Sequence, residues 1–151
     1  PKSLRARIWE RAQGRCEYCR LPQDLTTLPH EIDHIRARKH GGPTTFQNTC
    51  LACAGCNAAK GPNAAGYDPE TDALMPLFNP RKDRWEDLFA WEGPVLREKT
   101  AVGRATIEVL RINSPCVFST VAGFWQRGFF SREPSQRKAA TAGGYLSRDR
   151  G

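Results

Sequence analysis

Residues Glu31–Lys60 read EIDHIRARKHGGPTTFQNTCLACAGCNAAK, and the fold turns on this stretch. It carries an adjacent Asp33 and His34, then Gly41-Gly42-Pro43, then Asn48. It closes on Cys53-Ala-Gly-Cys56, with Asn57 directly after and Lys60 one turn on. Leu28 to Ile35 reads as a strand with the Asp-His pair near its end. Arg36 to Asn48 reads as a loop, marked by its glycines and proline. Cys50 to Ala52 is a short second strand, and the helix that opens at Cys53 is stopped by Gly61-Pro62. The order is strand, loop, strand, helix.

Just upstream lies a second pair, Cys16-Glu-Tyr-Cys19. A CxxC turn puts two sulfurs on one side of a tight bend, so each pair offers half a tetrahedron. Cys16, Cys19, Cys53 and Cys56 together read as a closed four-thiolate zinc site, which is structural. Two disulfides, or four unrelated core thiols, are the competing readings; the doubled pattern favours zinc. Residues 20–52 make a longer insert than a simple zinc ribbon has, so zinc is expected to clamp the two ends of the segment that carries the chemistry. Cys50 and Cys116 have no partner in this scheme and read as small buried apolar residues.

Within that segment, Asp33 supplies a carboxylate and Asn57 an amide oxygen. Both suit a hard cation such as Mg²⁺ or Mn²⁺, with most of the coordination sphere left to water and phosphate. His34, next to Asp33 on a regular strand, is expected to project to the other face. An imidazole is largely neutral at about pH 7 to 8 and is able to take a proton from water. Asn48 is expected to bridge the loop and fix the backbone that orients His34. Lys60, at i+3 from Asn57, is expected to contact a neighbouring phosphate. His30 and His40 read as ordinary surface histidines, and Glu31 as either an exposed strand residue or a group behind the ligands.

Outward from this centre, Ser3 to Gln13 reads as a helix capped by Ser3 and ended by Gly14. Its stripe is Leu4, Ile8 and Ala12, widened by Trp9, and Arg5, Arg7 and Arg11 read as a solvated face. Asn63 to Thr71 reads as a connector. Trp85, Phe89 and Trp91, with Val95 and Leu96 after Gly93-Pro94, suggest a hairpin. Thr100 caps a helix to Ile112 with Val102, Ala105, Val109 and Leu110 on one face. Ser114 to Phe130 suggests a further helix, and Ser131 to Gly151 a polar, basic, disordered tail.

At 151 residues the chain has the size of one domain with a small appendage, and its 39% hydrophobic residues support a small core that benefits from a metal staple. The net charge of +7 points to nucleic acid as partner before any other. No window has the eighteen or so apolar residues of a membrane helix. The stretch PKSLRARIWERAQ lacks the apolar run of a signal peptide. A cytoplasmic location with reduced thiols is the expectation, and no membrane partner.

The stretch Cys16–Lys60, with CxxC, DH, GG, N, CxxCN and K in that order, resembles the HNH endonuclease family in its zinc-knuckled form with a ββα-metal fold. The resemblance implies His34 as general base, Asp33 and Asn57 as ligands of a catalytic Mg²⁺ or Mn²⁺, and Asn48 as the residue that orients the base. The family often has His where this chain has Glu31, and Pro where it has Ala37. Leu77 to Ile112 is similar to an extension found in a subset of bacterial HNH proteins, with Leu88 where those tend to have His, which implies a bacterial or phage-like context.

The expectation is therefore an α+β chain. It has an HNH core with zinc knuckles at 1–63, a hairpin and helix extension at 64–130, and a tail at 131–151. The expected activity is metal-dependent hydrolysis of double-stranded DNA by a monomer or homodimer, nicking to 5′-phosphate and 3′-hydroxyl ends. The competing reading is a zinc-dependent nucleic-acid-binding module whose catalytic site is silent.

Overall fold

Helix α1 spans Leu4–Ala12. Ser3 caps it, its hydroxyl accepting from the Ala6 N–H at 3.2 Å, which satisfies one of the donors a helix start leaves open. The chain is described here from a computed structural model covering residues 1–115, 121–123 and 125–126. Gln13, not only Gly14, takes the left-handed conformation that ends α1. Ile8 and Ala12 are buried against Leu51 as expected, whereas Trp9 is 37% exposed and covers Gly14 instead of widening the stripe. The arginine face is also corrected. Arg11 donates to the Phe46 and Thr49 carbonyls at 2.7 and 2.6 Å, and Arg7 and Arg11 lie over the Phe46 ring. Arg11 therefore ties α1 to the loop and strand that follow the Asp-His pair.

Strands β1 (Glu31–His34) and β2 (Thr49–Ala52) pair antiparallel, with Asp33 opposite Cys50 and His34 opposite Thr49. Helix α2 (Ala54–Lys60) follows directly, so strand, strand and helix form the ββα unit. β1 is shorter than its apolar pattern suggests, because Leu28 is exposed and the chain before it is a short 3-10 turn at Gln23–Leu25. His30 is buried, not on the surface: its Nε2 meets the Leu21 carbonyl at 2.8 Å. His40 is exposed as expected.

Past the core, the stretch read as a connector starts a hairpin: β3 (Ala65–Tyr67) lies within it and pairs with β4 (Leu74–Pro76) just beyond it. Gly66 is required there, since a Cβ on it would lie 2.3 Å from a Val109 methyl. A one-turn helix α3 (Trp85–Leu88) leads into the expected hairpin of β5 (Phe89–Glu92) and β6 (Val95–Glu98). Helix α4 (Ala101–Leu110) starts at Thr100, whose hydroxyl accepts from the Gly103 N–H at 3.1 Å. Its buried residues are Gly103, Ala105, Thr106 and Leu110, so Val102 and Val109 flank the inner face. Asp68 is fully enclosed and receives two bonds from Arg104, at 2.6 and 2.8 Å, which fasten the first hairpin to α4.

One hydrophobic cluster joins the cysteine turns to this extension: Tyr18 meets Phe78 edge-on, and Phe78 meets Phe89 likewise at 5.4 Å. Each such ring contributes about 1.5–3 kcal/mol on burial, so the extension shares its core with the ββα unit. The architecture is α+β with three two-stranded sheets among the described residues. Cys116, most of the aromatic stretch up to Phe130 and the tail at 131–151 lie outside the described residues. No described helix is long and apolar enough to cross a membrane.

Candidate active site

The two CxxC turns converge. Cys16, Cys19, Cys53 and Cys56 are buried, reduced, and have their sulfurs within 4.8 Å of one another. Cys19 and Cys53 sulfurs lie 3.9 Å apart. Tetrahedral zinc with Zn–S of about 2.3 Å needs sulfurs roughly 3.8 Å apart, so the donor set and spacing fit zinc. Backbone N–H groups of Cys19 and Cys56 point at the Cys16 and Cys53 sulfurs at 3.5 and 3.4 Å, as suits sulfurs that carry charge. Hydrogen bonds from Cys16, Cys19 and Cys56 hold the Cys53 thiol far below the usual range. Cys50 stays out of this group. Burial, with the nearby Asp33 charge, pushes its thiol up and leaves it inert.

The first turn is gripped from both sides. Glu17 is buried but not unpaired: its carboxylate accepts from the Leu51 N–H at 2.9 Å, from Arg11 at 3.2 Å and from Arg81. Trp85 donates its indole N–H to the Tyr18 carbonyl at 2.7 Å, and Trp91 to the Cys19 carbonyl at 3.1 Å. The extension therefore holds the cysteine turn by three contacts that sequence spacing could not reveal.

Asp33 points inward from β1. Its Oδ2 accepts from the Tyr18 hydroxyl at 2.7 Å, lies 3.1 Å from the Lys60 ammonium, and faces the Cys50 thiol at 3.9 Å. Burial, then the Cys50 and Asp33 charges, pushes the Tyr18 phenol well up, so it remains a hydroxyl that donates. Lys60 is enclosed, its side chain 2% exposed, and it also donates to the His34 carbonyl at 3.0 Å. The expectation that Lys60 meets substrate phosphate is thus corrected. Its helix face is turned onto β1, and an ammonium taken out of water is held there by the carboxylate across from it.

One turn before Lys60, Asn57 gives its amide N–H to Glu31. The structure thus brings Asn57 to Glu31 and Lys60 to Asp33, two pairs side by side between β1 and α2, and not Asp33 to Asn57 directly. These contacts use Asp33 Oδ2, the Asn57 amide nitrogen and Glu31 Oε2, and do not involve Asp33 Oδ1, Asn57 Oδ1 or Glu31 Oε1. A carboxylate and an amide oxygen suit Mg²⁺ or Mn²⁺ in kind.

His34 projects away from Asp33, and its Nε2 lies 2.8 Å from the Thr44 hydroxyl. Asn48 spans the loop between the strands. Its Oδ1 accepts from the Arg36 N–H at 3.0 Å, while its Nδ2 donates to the Arg36 and Pro43 carbonyls at 3.0 and 2.8 Å. The loop closes tightly enough that a Cβ on Gly42 would overlap the Arg36 carbonyl oxygen at 1.8 Å. Tyr18 and Thr44 were missed by sequence reasoning. The only hint for Tyr18 was its place inside the CxxC turn, and Thr44 carried no signal beyond its place in the loop.

Residues 16–63 match the family model described as HNH endonuclease. No curated protein and no solved structure matches the chain. Residues 16–63 are thus similar to an HNH domain, and that likeness together with the four-cysteine cluster points to nuclease or nucleic-acid-binding activity.

Proposed function

We propose that the HNH domain is a metal-dependent endonuclease site that hydrolyses one strand of double-stranded DNA. The observation that carries this reading is the juxtaposition on one strand end. Asp33 and Glu31 face α2 and engage Lys60 and Asn57, while His34 turns the other way toward Thr44 in a loop pinned by Asn48. A module that only binds nucleic acid has no need of this set.

Asp33 and Asn57 would hold Mg²⁺ or Mn²⁺, which when bound polarises a phosphate and offsets charge on the leaving oxygen. His34 presents Nδ1, the ring nitrogen not set against Thr44, and takes a proton from a water molecule. The water oxygen forms the new bond to phosphorus as the bond to the 3′ oxygen breaks. That oxygen picks up a proton from solvent, leaving 5′-phosphate and 3′-hydroxyl ends. Asn48 keeps the loop closed so that the imidazole holds its place beside β1. The exposed Arg36, Arg38 and Lys39 follow the strand end directly and supply positive charge at its rim.

A supercoiled-plasmid assay with Mg²⁺ or Mn²⁺ tests this. Nicking by the wild-type chain and a loss of about 100-fold or more in His34→Ala is the expected result. Equal nicking by both rejects the base assignment. No nicking by either, with DNA binding that weakens steeply with salt, favours the silent binding module.

A further inference from the structure

We propose that Tyr18 is a positioning residue for the catalytic cation, coupling the four-cysteine site to Asp33; this rests on the reading of Asp33 as a cation ligand. Tyr18 sits between Cys16 and Cys19 in sequence, so its backbone is fixed by the metal-type turn. Trp85 fixes the same peptide through the Tyr18 carbonyl at 2.7 Å. From that anchored backbone the phenol reaches Asp33 Oδ2 at 2.7 Å.

A buried phenol seeks a hydrogen-bond partner for its hydroxyl, and the partner Tyr18 has is the carboxylate of Asp33. Here the hydroxyl and the Lys60 ammonium converge on one oxygen of the carboxylate. A carboxyl group turns easily about its last torsion, and a donor on either oxygen alone would leave the choice open. Two donors on Oδ2 select which oxygen is inward and so present Oδ1. Partners behind a metal ligand commonly change metal affinity by 10- to 100-fold when removed. The geometry also assigns a role to the closed site: it sets where Tyr18 stands, and Tyr18 sets how Asp33 is turned.

The test is Tyr18→Phe in the full chain, with zinc content and thermal unfolding measured beside Mn²⁺ affinity. Affinity is read by the electron-spin-resonance signal of free Mn²⁺, without DNA. The expected result is one zinc per chain retained and Mn²⁺ affinity weakened about 10- to 100-fold, with nicking restored toward wild type at saturating Mn²⁺. Unchanged Mn²⁺ affinity would overturn the proposal and leave the nuclease reading standing. Weakened affinity in a chain whose wild type does not nick would keep the proposal and reject the nuclease reading. A wild type that binds no Mn²⁺ rejects both. Should Tyr18→Phe lose zinc or unfold, the Tyr18 hydroxyl proton is followed by NMR in the wild type as Mg²⁺ is added. A shift of that resonance is expected, and its absence overturns the proposal.

Discussion

Lys60 and Asp33 form an enclosed ion pair, Nζ to Oδ2 at 3.1 Å, with side chains 2% and 8% exposed. Removing one partner from such a pair leaves a charge with no water to receive it. Lys60→Met is therefore expected to destabilise the fold by about 3–5 kcal/mol, read as a lower urea midpoint. The double variant Lys60→Met with Asp33→Asn should cost less than Lys60→Met alone. If the single variant unfolds at the wild-type midpoint, the pair is not what holds α2 on β1.

Thr44 meets His34 through Nε2 at 2.8 Å. Thr44→Val removes that hydroxyl while keeping a branched side chain. Nicking should fall, by less than the roughly 100-fold or more expected for His34→Ala, because the imidazole is loosened but still present. A loss as deep as that of His34→Ala would mean that Thr44 does more than orient the ring.

Two glycines give opposite expectations. Gly42→Ala would place a Cβ 1.8 Å from the Arg36 oxygen and 2.9 Å from Asn48 Nδ2, so the loop must shift. A cost of about 1–3 kcal/mol and reduced nicking should follow. Gly55, inside α2, has open space around its would-be Cβ. Gly55→Ala should raise stability by about 0.5–1 kcal/mol, since alanine loses less backbone freedom in a helix. Thermal unfolding of the two variants side by side checks both signs.

Zinc removal should act on structure and chemistry together. Stripping the metal with a chelator leaves four buried sulfurs close together, and the first turn then loses what fixes Tyr18. Unfolding or a large loss of stability is expected, with nicking lost even in excess Mg²⁺. A zinc-free chain that keeps its circular dichroism and still nicks would overturn the four-cysteine site.

Asp68 offers a pH signature. Hydrogen bonds from Arg104 first, then Thr71 and the Glu70 N–H, hold its carboxyl well below the usual carboxylate range. A carboxyl lowered by folding adds stability above its unfolded value of about 3.9, and that contribution fades as pH falls toward the lowered value. Asp68→Asn should thus unfold at a lower temperature than wild type at pH 7, and the gap should narrow below about pH 4. A gap independent of pH would mean that the charge on Asp68 is not what fastens the first hairpin to α4.

Sequence by itself determined the ββα order, the two CxxC turns and the match of residues 16–63 to the HNH family model. Those features are local: fixed spacing decides which sulfurs can share a turn, and Gly61-Pro62 can only stop a helix. Helical spacing also put Asn57 and Lys60 on one face, but it could not say what that face meets. Only the tertiary structure turned it onto β1, enclosing Lys60 against Asp33 and leaving Asn57 to Glu31. The same holds for His30, drawn inside by the Leu21 carbonyl, and for Arg11, taken from solvent by one carbonyl of the β1–β2 loop and one at the start of β2. The hairpin at Ala65–Pro76 exists because Gly66 lets it lie against α4, more than thirty residues on. The grip of Trp85 and Trp91 on the cysteine turn is likewise a contact between distant segments. Identity and spacing fix the chemistry a residue can offer, and the partner it meets is set by packing between segments that sequence keeps apart.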